Sequence, residues 1–342
     1  MPRLTIRQHG ASASIPRHPI AGNLQKPEER KANRGWTAAV ARRNSQYLQR
    51  IDFERVDGTP YAVTLTLPAW QMEQVTPVVM HRLIDVMIKY LRRHGMLHFH
   101  WIIEFTARRM PHIHMSVWMA DRYEEWDRHL RQYIVWDNNE SAVVSNVVVK
   151  WLELTEAEGL HTSSNSQDVQ LIDGNEAWLV YIAKHGIRGV KHYQRALDNM
   201  PDEWRDVAGA MWGHDRKMPV ADDSVLPMDM RAFHQFRREA RKWCCAHACM
   251  IKDPHRRAKA IGQARRSNRC CRPELSVVRP VSVWIPKDVT ISIVKGLRSR
   301  GYMIGWDAYQ WGVDELARLR DEGGSEERRR VLGKSLMEML RT

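Results

Sequence analysis

Apolar positions recur along this chain with two periods, and the predicted elements alternate in an order that reads as a sheet. Residues 75 to 94 place Val78, Val79, Leu83, Val86, Met87, Tyr90 and Leu91 at helical spacing, with Arg92 and Arg93 in the last turn and Gly95 beyond. Cations offset the partial negative charge at a helix C-terminus and glycine stops the helix, so an amphipathic helix is predicted. Before it, Tyr61-Ala62-Val63-Thr64-Leu65-Thr66-Leu67 is β-branched and apolar, with Pro68 as a stop, and predicts a strand. Two strands are predicted after it, about 97 to 106 and 111 to 119, joined by a short basic turn at Ala107-Arg108-Arg109-Met110. Residues 121 to 136 set Trp126, Leu130, Ile134 and Val135 in a polar background and predict a second helix. The valine-rich stretch from Val143 to Leu154 predicts a fourth strand. Strand, helix, strand, strand, helix, strand is the split βαβ order of an α+β fold with a ferredoxin-like or RNA-recognition-like antiparallel sheet.

The flanks are less periodic. Residues 1 to 33 mix Pro, Gly, Ser and basic residues and predict a flexible basic arm. Ala and Arg dominate from Trp36 to about Gln49, which suits a helix leading into the first strand. A Ser- and Asn-rich loop is predicted at 161 to 175, and a helix from near Glu176. Val277 to Ile293 looks strand-like, and 314 to 342 predicts a charged helical tail broken by Gly323-Gly324. The expected division is an arm to residue 33, a sheet domain at 34–215 and a basic, mainly helical module at 216–342.

Charge adds a partner to this outline. The 342 residues are 43% hydrophobic, enough for a sizeable core, and carry a formal net charge of +13. Residues 228 to 272 hold thirteen Lys or Arg against three Asp or Glu, so most of the excess sits in one segment. A polyanion is the expected partner, because each phosphate neutralised by a cation releases condensed counterions. Anionic membrane is the rival explanation, but no run of eighteen apolar residues occurs and the first residues lack a signal-peptide core. A cytoplasmic protein with no membrane partner is expected. Of five cysteines, four form adjacent pairs, Cys244-Cys245 and Cys270-Cys271. A zinc site can be drawn from Cys245, His247, Cys249 and Cys270, but the paired C-x-x-C spacing is absent, so ordinary reduced thiols are expected instead.

The candidate chemistry lies in the predicted hairpin. Side chains alternate faces along a strand, so His112 and His114 share one face while Ile113 and Met115 take the other. A turn centred near residue 108 sets Glu104 directly opposite His112, with Cβ atoms ~5 Å apart. Two imidazoles and a carboxylate suit Mg²⁺ or Mn²⁺ with positions left open for substrate oxygens. An isolated H-x-H is commonly just a polar strand face, and His98-Phe99-His100 offers a second such pair on the neighbouring strand. The 112/114 pair is preferred because the carboxylate falls opposite it. His98 and His100 are then expected beside the ligands, against DNA, or exposed. Downstream, Tyr181 and Lys184 stand three apart on the helix expected from Glu176 and share a face.

Thr64-Leu65-Thr66-Leu67, then Glu104 with His112-Ile113-His114, then Tyr181-x-x-Lys184, resembles in that order the three motifs of the HUH endonuclease superfamily. The likeness spans about residues 35 to 215 and is nearest to the rolling-circle replication initiators of filamentous and other single-stranded DNA phages. It implies a metal at Glu104, His112 and His114 and a nucleophilic Tyr181, with Lys184 favouring the phenolate or neutralising phosphate. The expected reaction gives a 5′-phosphotyrosyl link and a free 3′-OH, and later rejoins the strand. A second tyrosine within a helical turn is lacking. Tyr193, after His192, is twelve residues on and is the alternative acceptor. No G-x-x-x-x-G-K-[ST] motif occurs, so a host helicase and polymerase are expected partners alongside single-stranded or supercoiled origin DNA. In the basic segment, Arg237, Arg238, Arg241, Lys242, Arg256, Arg257, Arg265 and Arg266 are candidate phosphate contacts, and Phe233, Phe236 and Trp243 are candidate rings for stacked bases. Competing readings are a relaxase or tyrosine transposase of the same chemistry, a non-catalytic basic DNA-binding protein, and a metal phosphoesterase.

Overall fold

The computed structural model describes residues 1–15, 35–173, 186, 189–205, 207–266, 281–321 and 333. The chain divides into two compact units, Met1–Lys26 with Ala221–Thr342, and Pro27–Val220. Part of the stretch expected as a mobile arm is instead ordered: β1 (Arg3–Arg7) and β2 (Gly10–Ser14) form an antiparallel hairpin. Their alternating Leu4, Ile6, Ala11 and Ala13 are buried, which a solvated arm would not permit. The signal was a short alternation hidden among polar residues.

The unit spanning 27–220 begins with α1 (Ala38–Leu48), whose N-terminus is capped by the Thr37 hydroxyl accepting from the Val40 amide. It continues through β3 (Thr59–Leu65), α2 (Pro77–Arg93), β4 (Met96–Phe105) and β5 (Pro111–Met119). Here prediction and structure agree, and the caps explain why. Thr76 accepts from Val79, Pro77 occupies the first turn, and Gly95 at φ +88° reverses the chain into β4.

The next two elements differ from expectation. Residues 122–137 form the β6 (Arg122–Asp127) and β7 (Gln132–Asp137) hairpin instead of a helix. The apolar spacing suggested a helix, but aromatic and β-branched Tyr133-Ile134-Val135-Trp136 favours strand, and Asp127 Oδ1 accepts from His129 and Leu130 to make the turn. The valine-rich stretch is α3 (Glu140–Ala157), not a strand. Asn139 caps it, and Val143, Val147, Trp151 and Thr155 are buried at intervals of four, so one helical face meets the core. The strand it displaced lies in the predicted loop, as β8 (Asp168–Leu171), and β9 (Trp212–His214) follows.

The resulting sheet has the order β8-β3-β5-β4-β9 with every pair antiparallel. The fold is thus α+β with antiparallel sheets. One face of the central sheet carries Val63, Leu65, Ile103, Ile113, Met115 and Val117, in the same buried core as Leu83 and Met87 of α2 and Val143, Val147 and Trp151 of α3. The opposite face bears the histidines.

In the other unit, β10 (Ser224–Pro227) and α4 (Met230–Cys249) precede α5 (Pro254–Arg266). Then come β11 (Val281–Val283), α6 (Lys287–Arg298) and α7 (Trp306–Asp321). Of the strand expected over 277–293, residues 277–280 lie outside the described residues, and within 281–293 only β11 is strand, because Thr290, Val294 and Leu297 are buried at helical spacing. The four-stranded sheet runs β10-β1-β2-β11, so the N-terminal hairpin supplies its two inner strands. Leu4, Phe233, Phe236, Val281 and Leu297 share its core. Among the described residues, no helix is long and apolar enough to cross a membrane.

Candidate functional site

The hairpin of β4 and β5 pairs Glu104 with His112 and Ile102 with His114, the register expected from a turn near residue 108. Thr106 N–H donates to the Met110 carbonyl across that turn, and Arg109 adopts φ +64° within it. Next door, β3 pairs Thr64 with His114, so Thr64 joins the same face. One carboxylate oxygen and one nitrogen from each imidazole lie within 4.8 Å of one another. Ligands of one octahedral ion with ~2.1 Å bonds lie about 3 to 4 Å apart, so the set needs little contraction to hold one.

The donor chemistry also fits an ion. Thr64 Oγ1 sits 3.1 Å from His114 Nδ1, while His114 Nε2 faces Glu104 Oε2 at 3.7 Å. One ring nitrogen is thereby held and the other turned toward the carboxylate, as in metal-bound imidazoles. The His112 and His114 rings are 4.6 Å apart and nearly perpendicular, which aims their nitrogens without stacking the rings. Glu104 is fully buried and His114 is 13% exposed, so the cluster opens to solvent on the His114 side.

Three contributors were not legible in the sequence. Arg195 Nε donates to Glu104 Oε1 at 2.7 Å, and neither side chain is exposed. The Arg195 guanidinium lies 4.0 Å from the Trp36 ring centroid, and the Trp36 indole N–H donates to the Ile103 carbonyl at 2.7 Å. Gln194 carries its side-chain amide to 3.5 Å from His112 Nε2, and its carbonyl accepts from Phe105 N–H at 2.9 Å. No local pattern marks a lone arginine ninety-one residues beyond its partner.

The second histidine pair is committed elsewhere on the same face. His98 Nδ1 lies 2.9 Å from Asp215 Oδ2, and His100 Nε2 lies 2.8 Å from Asn44 Oδ1 on α1. His100 is buried, which corrects the expectation of an exposed or DNA-contacting side chain. Tyr47 stacks on His214 with centroids 3.9 Å apart. Burial, with the Asp215 carboxylate nearby, pushes the Tyr47 phenol well above the usual tyrosine range. That tyrosine is held protonated. Tyr181 and Lys184 lie outside the described residues, and Tyr193 is 54% exposed immediately before Gln194.

Comparison with known proteins converges on DNA replication. The family model for the replication-associated protein ORF2/G2P matches residues 60–154, which include Glu104, both site histidines and all but the first residue of β3. Two relatives with replication-protein names come from Xylella fastidiosa. The one from strain 9a5c is 27% identical over 89% of this chain and 99% of its own length. The one from strain Temecula1 is 28% identical over 79% and 94% respectively. The replication-associated protein G2P of Pseudomonas phage Pf3 is 30% identical over 270 residues, 78% of this chain and 87% of its own. The chain belongs to the replication-associated protein ORF2/G2P family. No solved structure matches it.

In this G2P-family protein the basic segment is built differently from the expectation. Phe233 and Phe236 are fully buried in the core of their unit, so they are not surfaces for stacked bases. Arg237 is 7% exposed with its guanidinium 5.5 Å from the Phe233 centroid, which removes it from the accessible cations. Arg238 and Lys242 on α4 and Arg256 and Arg265 on α5 are exposed, while Arg241 and Arg257 are half-buried. Arg266 ends α5. Trp243 is partly buried and stacks parallel to His247 at 5.0 Å. Burial pushes the Cys244 thiol up to about 11, the state of an unreactive thiol. Cys270 and Cys271, which belong to the cysteine cluster considered above, lie outside the described residues.

Proposed function

We propose that this G2P-family chain is a rolling-circle replication initiator that nicks one strand at an origin and rejoins it by tyrosine transesterification. The observation that carries the reading is the convergence of Glu104, His112 and His114 on one face of the central sheet. Family membership and a net charge of +13 supply the DNA partner. The βαββαβ order of β3, α2, β4, β5, α3 and β8 supports a ferredoxin-like core of the HUH type.

A Mg²⁺ or Mn²⁺ held by Glu104, His112 and His114 would polarise the scissile phosphate and take up charge on the leaving oxygen. Tyr181 attacks phosphorus through its phenol oxygen. The bond from phosphorus to the 3′ oxygen breaks, the DNA 5′ phosphate remains on Tyr181, and the 3′ oxygen leaves as a hydroxyl. A tyrosine with an ordinary pKa near 10 needs assistance at neutral pH, and a cation at Lys184 favours its phenolate. Thr64 orients the His114 ring, and burial of Glu104 keeps bulk water from that carboxylate. Because the phosphotyrosyl ester retains the phosphodiester energy, attack by a 3′-OH reverses the step and joins the strand. Exposed Arg238, Lys242, Arg256 and Arg265 are suited to phosphate contacts that carry no sequence information.

The test uses supercoiled or single-stranded origin DNA with Mn²⁺ and an SDS-resistant protein-DNA band as readout. Tyr181→Phe should abolish the band and leave DNA binding intact. A persistent adduct would move the nucleophile, with exposed Tyr193 next in line. The double variant His112→Ala, His114→Ala should lose cleavage, whereas His98→Ala should not.

A further inference from the structure

We propose that Arg195 is the positioning residue of the candidate metal centre, fixing Glu104 as a ligand through a single oxygen. The inference rests on the reading of Glu104, His112 and His114 as a divalent-metal site. A buried carboxylate can meet an ion through one oxygen or both. Here Arg195 Nε donates to Oε1 at 2.7 Å, while Oε2 is the oxygen that faces His114 Nε2, at 3.7 Å. The arginine is itself restrained. Its guanidinium lies on the Trp36 ring at 4.0 Å, and that indole is anchored to the Ile103 carbonyl, the residue beside Glu104. Trp36, Arg195 and Glu104 therefore form a closed circuit through the backbone of β4.

Single-oxygen ligation leaves more coordination positions for substrate oxygens than a bidentate carboxylate would. The charge balance points the same way. The Arg195 cation offsets the Glu104 anion, so a bound divalent ion keeps its positive charge facing an incoming phosphate. Neighbouring Gln194 places its amide at His112, so one turn of chain touches two of the three ligands. Lysine could replace the charge but not the planar guanidinium that both stacks on Trp36 and directs Nε at the carboxylate.

Mn²⁺ binding to the full-length chain, followed by electron paramagnetic resonance and calorimetry without DNA, tests the assignment. Arg195→Lys should lower Mn²⁺ affinity by about 10- to 100-fold, the usual effect of removing a partner of a metal ligand. It should also alter the spectrum of the bound ion while the metal-free protein keeps its circular dichroism. Trp36→Leu, which leaves the ion pair chemically intact, should lower affinity in the same direction by a smaller factor. Wild-type affinity and spectrum in both variants would overturn the proposal, as would a loss of thermal stability with no change in Mn²⁺ binding. If Arg195→Lys does not fold, Trp36→Leu alone decides. Failure of the wild-type protein to bind Mn²⁺ is a separate result, and it overturns the metal-site reading on which the proposal rests.

Discussion

Asp215 illustrates how one buried carboxylate joins parts of the chain far apart in sequence. It is 6% exposed, accepts from Arg92 of α2 at 2.7 Å and from His98 of β4 at 2.9 Å, and its own N–H donates to the Phe99 carbonyl. Burial pushes its carboxyl up, but the His98 bond, the Lys217 backbone N–H and the Arg92 guanidinium together outweigh this and leave it below the usual carboxylate range. A group depressed by folding stabilises the protein above its unfolded value near 4, and that contribution is lost as pH falls through the lower folded value. Asp215→Asn should therefore cost about 1–3 kcal/mol at neutral pH, with the gap to wild type narrowing below about pH 4. Urea unfolding at pH 7 and pH 3 checks this, and a gap of constant size would assign the loss to packing. At this scale the sequence revealed pairs separated by one turn. Glu104 opposite His112 follows from an eight-residue spacing and a tight reversal, whereas the Asp215 and Arg195 contacts depend on segments meeting across the fold.

Elements were legible where periodicity, caps and stops agreed. For α2, a threonine cap, apolar spacing and a glycine stop all give one answer, and the predicted range needed little change. Gly95 is strained for any other residue: at φ +88° an added Cβ would lie 2.7 Å from Asn138 Nδ2 and 3.1 Å from Tyr123 Cβ. That Asn138 amide donates to the His94 and Ala120 carbonyls, so displacing it disturbs both the end of α2 and the base of the β6–β7 hairpin. Gly95→Ala should destabilise the unit by about 1–3 kcal/mol, read from a lower urea midpoint at unchanged slope. In α3, valine propensity for strands misled the reading because propensity is a weak prior. Burial of Val143, Val147 and Trp151 along one helical face, with Asn139 at the start, outweighed it. Once α3 takes the second helical place, β8 becomes the fourth strand. Strand, helix, strand, strand, helix, strand then describes only the central sheet and its two helices, with the β6–β7 hairpin inserted before α3 where a helix was expected.

Over the whole molecule, the largest departure from the sequence reading is the fate of the N-terminus. β1 and β2 are the inner strands of a sheet whose outer strands, β10 and β11, lie more than two hundred residues away. A chain starting at residue 16 should therefore lose the core around Leu4, Phe233 and Leu297, which exceeds what a domain of ordinary 5–15 kcal/mol stability can lose. Limited proteolysis should then digest residues 221–342 while a fragment near 35–220 persists, and equal resistance in both proteins would refute the dependence. The sequence by itself determined the periodic elements, the pairing of Glu104 with His112 and the concentration of charge at 228–272, because spacing, turn geometry and composition are local quantities. Only the tertiary structure decided that an N-terminal hairpin completes a distant sheet, that Phe233, Phe236 and Arg237 turn inward, and that Arg195 meets Glu104. Those outcomes depend on which surfaces exclude water together, and burial is a property of partners distant in the chain.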